Sequence, residues 1–190
     1  MGVKGDNARA RIMECAHKIF SHKGYCATTM QDISDSSGFS RGGLYRHFSS
    51  TEEIFLELIC EEQKQGYAAL ESALADNIRP DHILRRFLST RMDFLSRPSH
   101  SFDVAVSEFA ANSEKGKEAL TKRAEDSVRI LTALITRGNE VGVFSCSEPE
   151  HTAIHILWLM EGMSRHAGLM PITQEQIQSQ VEQIELLLQK

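Results

Sequence analysis

Apolar residues along the chain recur every three to four positions rather than every second one, and capping residues, glycines and prolines separate the runs. That period places one face of a helix inward. Ile12, Ala16, Ile19 and Phe20 define a first helix over about 7–23, with Lys18, His22 and Lys23 in its last turn and Gly24 as a left-handed stop. Thr29 caps a short second helix over 30–37, and Ser40 a short third over 41–48. Ser50-Thr51-Glu52-Glu53 reads as a capping box opening a long fourth helix that buries Ile54 and Leu58. Pro80 starts a fifth, with Ile83, Leu84, Phe87 and Leu88 on one stripe. A sixth covers about 102–112, a seventh about 115–141, and an eighth runs from Pro149 to Gly168. Thr173 and Gln176 form a capping box for the ninth, with Ile172 placed to staple against Ile177. Period-two runs and Asn-Gly hairpins are missing. The expectation is an all-α chain of about nine helices, without internal repeats.

A length of 190 residues is ample to bury a core, and 41% hydrophobic with 25% charged residues is an ordinary globular balance. No apolar run approaches the ~18 residues of a membrane span, and the opening MGVKGDNARARI lacks the apolar stretch of a leader, so the expected location is cytoplasmic. Cys15, Cys26, Cys60 and Cys146 lie far apart and read as reduced, structural thiols. The formal charge of −5 argues against a nucleic-acid partner until its distribution is considered. Residues 1–50 carry seven Lys/Arg (Lys4, Arg9, Arg11, Lys18, Lys23, Arg41, Arg46) against four acids, and the surplus of acid lies wholly in the remainder. A basic head on an acidic body fits a local DNA-binding surface.

Two short helices joined by a tight turn with glycine are the skeleton of a helix-turn-helix. Here TMQDISDSS is followed by Gly38-Phe39-Ser40 and then RGGLYRHF. Ile33, Phe39, Leu44 and Phe48 are spaced to pack inward, which leaves Arg41, Gly42, Gly43, Tyr45, Arg46 and His47 facing outward. Each glycine costs a helix ~1 kcal/mol relative to Ala. Two in succession make sense where the helix must approach another surface without intervening side chains.

The stretch TTMQDISDSSGFSRGGLYRHFSSTEEIF resembles the DNA-binding domain of the TetR family of regulators, and the likeness covers roughly residues 8–60. It implies an N-terminal helix-turn-helix domain at residues 1–49, with the family motif reaching about 60, and a helical dimerisation and effector domain at 50–190. It also implies phosphate contact by Thr29, with Thr28 an alternative, and base and backbone contact by Ser40, Arg41, Gly42 and Gly43. Tyr45 and His47 would bind phosphates; Arg46 by itself reads as a solvated or phosphate-neighbouring charge rather than a base reader. The chain departs from the family pattern in two ways. Ser34 and Ser37 replace small alanines, and Thr51 replaces the lysine that commonly follows the recognition helix, so a phosphate contact there falls to Ser50 and Thr51.

Other constellations carry less. Glu14-x-x-His17 and Glu148-x-x-His151 have the spacing of a di-iron bundle, but no further core carboxylates accompany them. His151 and His155 could share a metal, although an interface or solvated pair is the plainer reading, so no metal site and no cofactor are expected. No phosphate loop or catalytic triad order occurs, and the chain is not expected to be an enzyme. Past residue 80 the chain is rich in Phe and Met, which suit a core or an effector pocket alike; the pocket candidates are Phe94, Phe109, Trp158 and Glu161. A dimer interface is expected from the apolar stripes of the last two helices: Ile154, Leu157 and Trp158 on one, Ile177, Val181, Ile184 and Leu188 on the other. The resemblance thus implies a homodimer on a near-palindromic double-stranded DNA operator, acting as a repressor released by a small apolar or amphipathic effector, away from any membrane. The alternatives are a ligand-independent DNA-organising protein of the same fold and a helical metalloenzyme.

Overall fold

The computed structural model describes residues 3–76, 78–93, 102–167, 170 and 172–189. Among them the elements are all helices: α1 (Val3–Lys23), α2 (Met30–Ser37), α3 (Arg41–Tyr45), α4 (Thr51–Ala75), α5 (Pro80–Asp93), α6 (Phe102–Asn112), α7 (Glu114–Glu140), α8 (Pro149–Ala167) and α9 (Gln174–Leu187). The all-α expectation holds. The described residues include no helix long and apolar enough to cross a membrane. All four cysteines are free thiols, and Cys146 is buried.

The chain divides into two compact units, one of Met1–Lys64 with Ser99–Lys122 and the other of Gln65–Pro98 with Arg123–Lys190. This packing division differs from a functional boundary near residue 49 for a physical reason. The first three helices are too small to enclose a core of their own. Ile12, Ala16, Phe20, Ile33, Leu44 and Phe48 are closed over by Ile54, Phe55 and Ile59 of α4 and by Phe102, Val106 and Phe109 of α6.

Local signals set the first unit's corners. α1 ends where Gly24 adopts φ 81°, its N–H donating to the Phe20 carbonyl at 2.9 Å. A Cβ at that position would lie 2.6 Å from the Glu108 carboxylate, the far end of a flexible side chain that can give way, so it is the positive backbone angle that calls for glycine. Thr29 and Asp32 form a reciprocal capping box on α2. Lys23 and the hydroxyl and N–H of Thr29 all donate to Asp32, and these bonds hold its carboxyl down at about 2. Gly38 (φ 72°) ends the helix, its N–H donating to the Ser34 carbonyl. At the start of α4, Ser50 Oγ accepts from the Glu53 N–H, but the Glu53 carboxylate reaches back to Ser49 rather than to Ser50.

In the second unit Leu84, Leu88 and Met92 of α5, Leu131, Leu134 and Ile135 of α7, and Ala153 and Ile156 of α8 surround the apolar face of α9. Arg85 of α5 donates from two nitrogens to Glu185 of α9, at 2.7 and 2.6 Å. The Thr173–Gln176 capping box is complete, and Ile172 and Ile177 are both buried.

Two tests follow from this packing. Gly116, in the first turn of α7, is crossed by the α6 backbone: a Cβ there would lie 2.4 Å from the Phe109 carbonyl oxygen. Gly116→Ala should therefore destabilise the protein by about 1–3 kcal/mol in urea unfolding, because backbone must move. An open helix would instead gain up to ~1 kcal/mol from the same change. The second test concerns Asp32, whose folded carboxyl titrates below its unfolded value. Its stabilisation is complete above that unfolded value and is lost as pH falls through the folded one. The stability gap between wild type and Asp32→Ala should be constant above about pH 5 and close between about pH 4 and 2.

Candidate nucleic-acid interface

α3 is five residues long, shorter than its sequence pattern suggests. Gly42 and Gly43 give it little intrinsic helicity, and beyond Tyr45 the N–H groups of His47 and Phe48 both turn back to the Leu44 carbonyl, at 2.9 and 3.0 Å. Its start is secured by Ser40, whose Oγ accepts from the Gly43 N–H at 3.2 Å. Its inner side is secured by Leu44 and Phe48, both buried. The turn before it is tied down by Ser34, whose hydroxyl donates to the Phe39 carbonyl at 2.7 Å. Ser37 Oγ donates to the Ser34 carbonyl at 3.3 Å. Both serines are buried with their hydroxyls bonded, which is how the chain accommodates them in place of alanine.

The residues singled out from the sequence fall into three groups. Ser40, Arg41, Gly42, Tyr45 and Arg46 are exposed together around α3, and Tyr45 is 44% exposed although aromatic. The Arg41 guanidinium lies 5.9 Å from the Tyr45 ring centroid. Thr29, His47 and Thr51 are at the surface but already engaged. Thr29 caps α2, the His47 ring sits edge-on to Phe39 at 6.2 Å, and Thr51 neighbours the phenol of Tyr25, which burial raises above its usual range. Thr28 and Gly43 point inward. Thr28 is 6% exposed and its hydroxyl donates to the Gly24 carbonyl at 2.6 Å, so of the two threonines Thr29 is the exposed one.

The two glycines of α3 also separate. A Cβ at Gly43 would press on its own N-cap, 3.2 Å from Ser40 Oγ, so this glycine has an internal reason. A Cβ at Gly42 would meet nothing within 4 Å. Nothing within the described protein needs position 42 to be bare.

Arg9 was not among the residues expected from the sequence. Its Nε donates to Glu57 Oε1 at 2.7 Å, a second nitrogen donates to Glu57 Oε2, and its third donates to the His47 carbonyl at 2.8 Å. Its guanidinium carbon stands 4.0 Å from the Phe48 ring centroid. Partners 38 and 48 residues distant leave no local signal in the sequence. The basic head is also partly self-neutralised: Arg9, Lys18 and Lys23 pair with Glu57, Glu14 and Asp32. Among the described residues Arg11, Arg41 and Arg46 make no ion pair.

The pocket candidates belong to different units. Phe109 is fully buried in the first unit's aromatic core, whereas Trp158 and Glu161 are exposed on α8 in the second, Trp158 at 68%. Phe94 lies outside the described residues. The expected interface divides too. Ile154 and Leu157 are half-buried and Trp158 faces out, but Ile177, Val181, Ile184 and Leu188 are buried within the protomer's own core. The α9 stripe is covered by α5, α7 and α8 of the same chain and is not free to face a second copy. Among the described residues no three potential metal-ligating side chains cluster; His151 has Glu148 at 3.4 Å, both largely exposed.

Comparison with known proteins places this arrangement. The family model described as "Bacterial regulatory proteins, tetR family" matches residues 12–58. An uncharacterized HTH-type transcriptional regulator of Bacillus subtilis, YfiR, is 30% identical over 166 residues, which is 85% of this chain and 80% of that protein. The HTH-type transcriptional repressor AcnR of Corynebacterium glutamicum is 36% identical over 79 residues, 41% of this chain and 42% of that protein. Among solved structures, the reduced form of E. coli NemR superimposes over 96% of this chain and 98% of its own, with a TM-score of 0.81 at 18% identity. With its capped α2, its Gly-Phe-Ser turn and its exposed α3, the chain belongs to the TetR family of bacterial transcriptional regulators.

Proposed function

We propose that the protein is a repressor that binds a near-palindromic DNA operator as a homodimer and is released by a small apolar or amphipathic effector. The observation that carries the DNA half is Gly42. It is exposed, it weakens its own helix, and no described atom of the protein requires it. A close outside surface would account for a bare position at the start of this helix, and the base edges and phosphates of a DNA groove are such a surface. Around it Arg41 reads bases, and Tyr45, Arg46 and His47 hold the backbone, with Ser40, Thr29 and Thr51 presenting hydroxyls or amides beside them. The assignment of repression follows AcnR, which is named a repressor.

The dimer is held by the outward face of α8, with Trp158 at its centre and Ile154 and Leu157 beside it. For the effector, the second unit offers half-buried Phe87, Met160 and Met163 against its core. The Thr132 hydroxyl, in the same unit, is buried without a hydrogen-bond partner. Residues of this kind suit an amphipathic ligand. α4 begins in the first unit and continues into the second, and an effector preferring one position of α4 would shift the DNA-binding equilibrium through it.

Selection of duplexes from a random pool tests the DNA reading directly. The enriched sequence should be an inverted repeat with half-sites about one helical turn apart; no enrichment would overturn the proposal. Gly42→Ala should raise thermal stability, by up to ~1 kcal/mol, while weakening binding to the selected duplex. A variant stabilised without loss of affinity would remove Gly42 from the interface. For assembly, Trp158→Glu should give a folded monomer in sedimentation, whereas Val181→Glu should unfold the second unit. A Trp158→Glu protein that remains dimeric would move the interface elsewhere.

A further inference from the structure

We infer that Arg9 is a positioning residue that fixes the far end of the recognition helix to α1 and α4, an inference that rests on the DNA-binding reading above. A five-residue helix cannot hold its own direction: it forms barely one turn of hydrogen bonds, and the carbonyls at its end lack helical partners. The start of α3 is set by the Ser40 cap, its middle by Leu44 and the residue after its exit by buried Phe48, but the His47 carbonyl has no helical partner. Arg9 supplies the missing donor. One nitrogen donates to the His47 carbonyl while the opposite edge of the same planar group grips Glu57 of α4, and the cation lies over the Phe48 ring. Three contacts on three sides of a rigid plane define an orientation, which a lysine with its single ammonium cannot reproduce. The charge of Arg9 is turned toward Glu57, with Glu53 also contributing to its field. Although it belongs to the basic head, Arg9 is not a phosphate contact. Its effect on DNA is exerted through where His47 and Tyr45 are held.

Salt dependence separates these roles. Wild type, Arg9→Met and Arg9→Lys are titrated by fluorescence anisotropy onto the duplex selected by the wild type and onto a scrambled duplex, across a range of salt, with melting curves measured alongside. Arg9→Met, folded at the assay temperature, should bind the selected duplex roughly tenfold more weakly or worse. The scrambled duplex should be affected less, and log K against log salt should keep its wild-type slope. Arg9→Lys should recover thermal stability in part without recovering selected-duplex affinity. A slope shallower by about two, one phosphate lost per subunit, would make Arg9 a direct contact and overturn the inference. Wild-type affinity in folded Arg9→Met would reduce Arg9 to a stabilising residue and overturn it equally. If Arg9→Met does not fold, Arg9→Lys decides, because full affinity there would remove the need for the planar fork. A wild type that selects no duplex would instead overturn the DNA reading, an outcome visible before any variant is made.

Discussion

The ring of Phe55 is completely buried, and those of Phe20, Tyr25, Phe102 and Phe109 meet it with centroids 4.6 to 5.2 Å away. Each such pair contributes about 0.5–1.5 kcal/mol beyond the area it buries. More important is what the rings belong to: the end of α1, the turn before α2, the first turns of α4, and both ends of α6. The interlocked rings pack these elements of the first unit against one another. Polar contacts reinforce the joint. Glu108 of α6 accepts from the Cys26 N–H at 3.2 Å, and Lys115 of α7 pairs with Glu52 of α4. The recognition helix, too short to be stable alone, is therefore supported on a packed aromatic base.

Electrostatics in this unit serve orientation before attraction. Counting charges by segment suggests a strongly basic head, yet three of those cations are paired at close range within the protein, leaving a small arginine set near α3 and α1. Exposed pairs such as Lys18–Glu14 add little to stability. The Lys23–Asp32 and Arg9–Glu57 pairs differ because each fixes a structural corner, one at the entry of α2 and the other at the exit of α3.

What could be read from the sequence was whatever is decided locally. Thr29, Ser40 and Thr173 announce helix starts through hydroxyls that reach only three residues ahead, and Gly24 and Gly38 announce stops through backbone angles that other residues rarely adopt. The exposed cluster of Arg41, Gly42, Tyr45 and Arg46 was equally legible, because one short helix sets it out. What escaped depends on distant partners. The apolar period of α9 shows that Ile177, Val181, Ile184 and Leu188 need a cover, but not that α5 and α7 of the same chain provide it. Thr28 and Thr29 are adjacent and chemically alike, and only the Gly24 carbonyl behind Thr28 decides that it faces in. Phe109 and Trp158 look interchangeable as aromatic residues on helices, yet one lies inside an aromatic core and the other is in solvent.

The burial of the α9 stripe has a consequence for gene dosage. A protomer that closes its core with its own last helix can remain folded when separated, unlike chains whose hydrophobic surface is shared between partners and whose monomer is unfolded. Assembly and folding are then two equilibria rather than one. If the proposed homodimer is the DNA-binding form, then wherever the cellular concentration lies below its dissociation constant, operator occupancy rises with the square of the amount of protein. Doubling expression of the chain would then change repression up to fourfold, a sharpness that requires no cooperativity between operators and no effector at all.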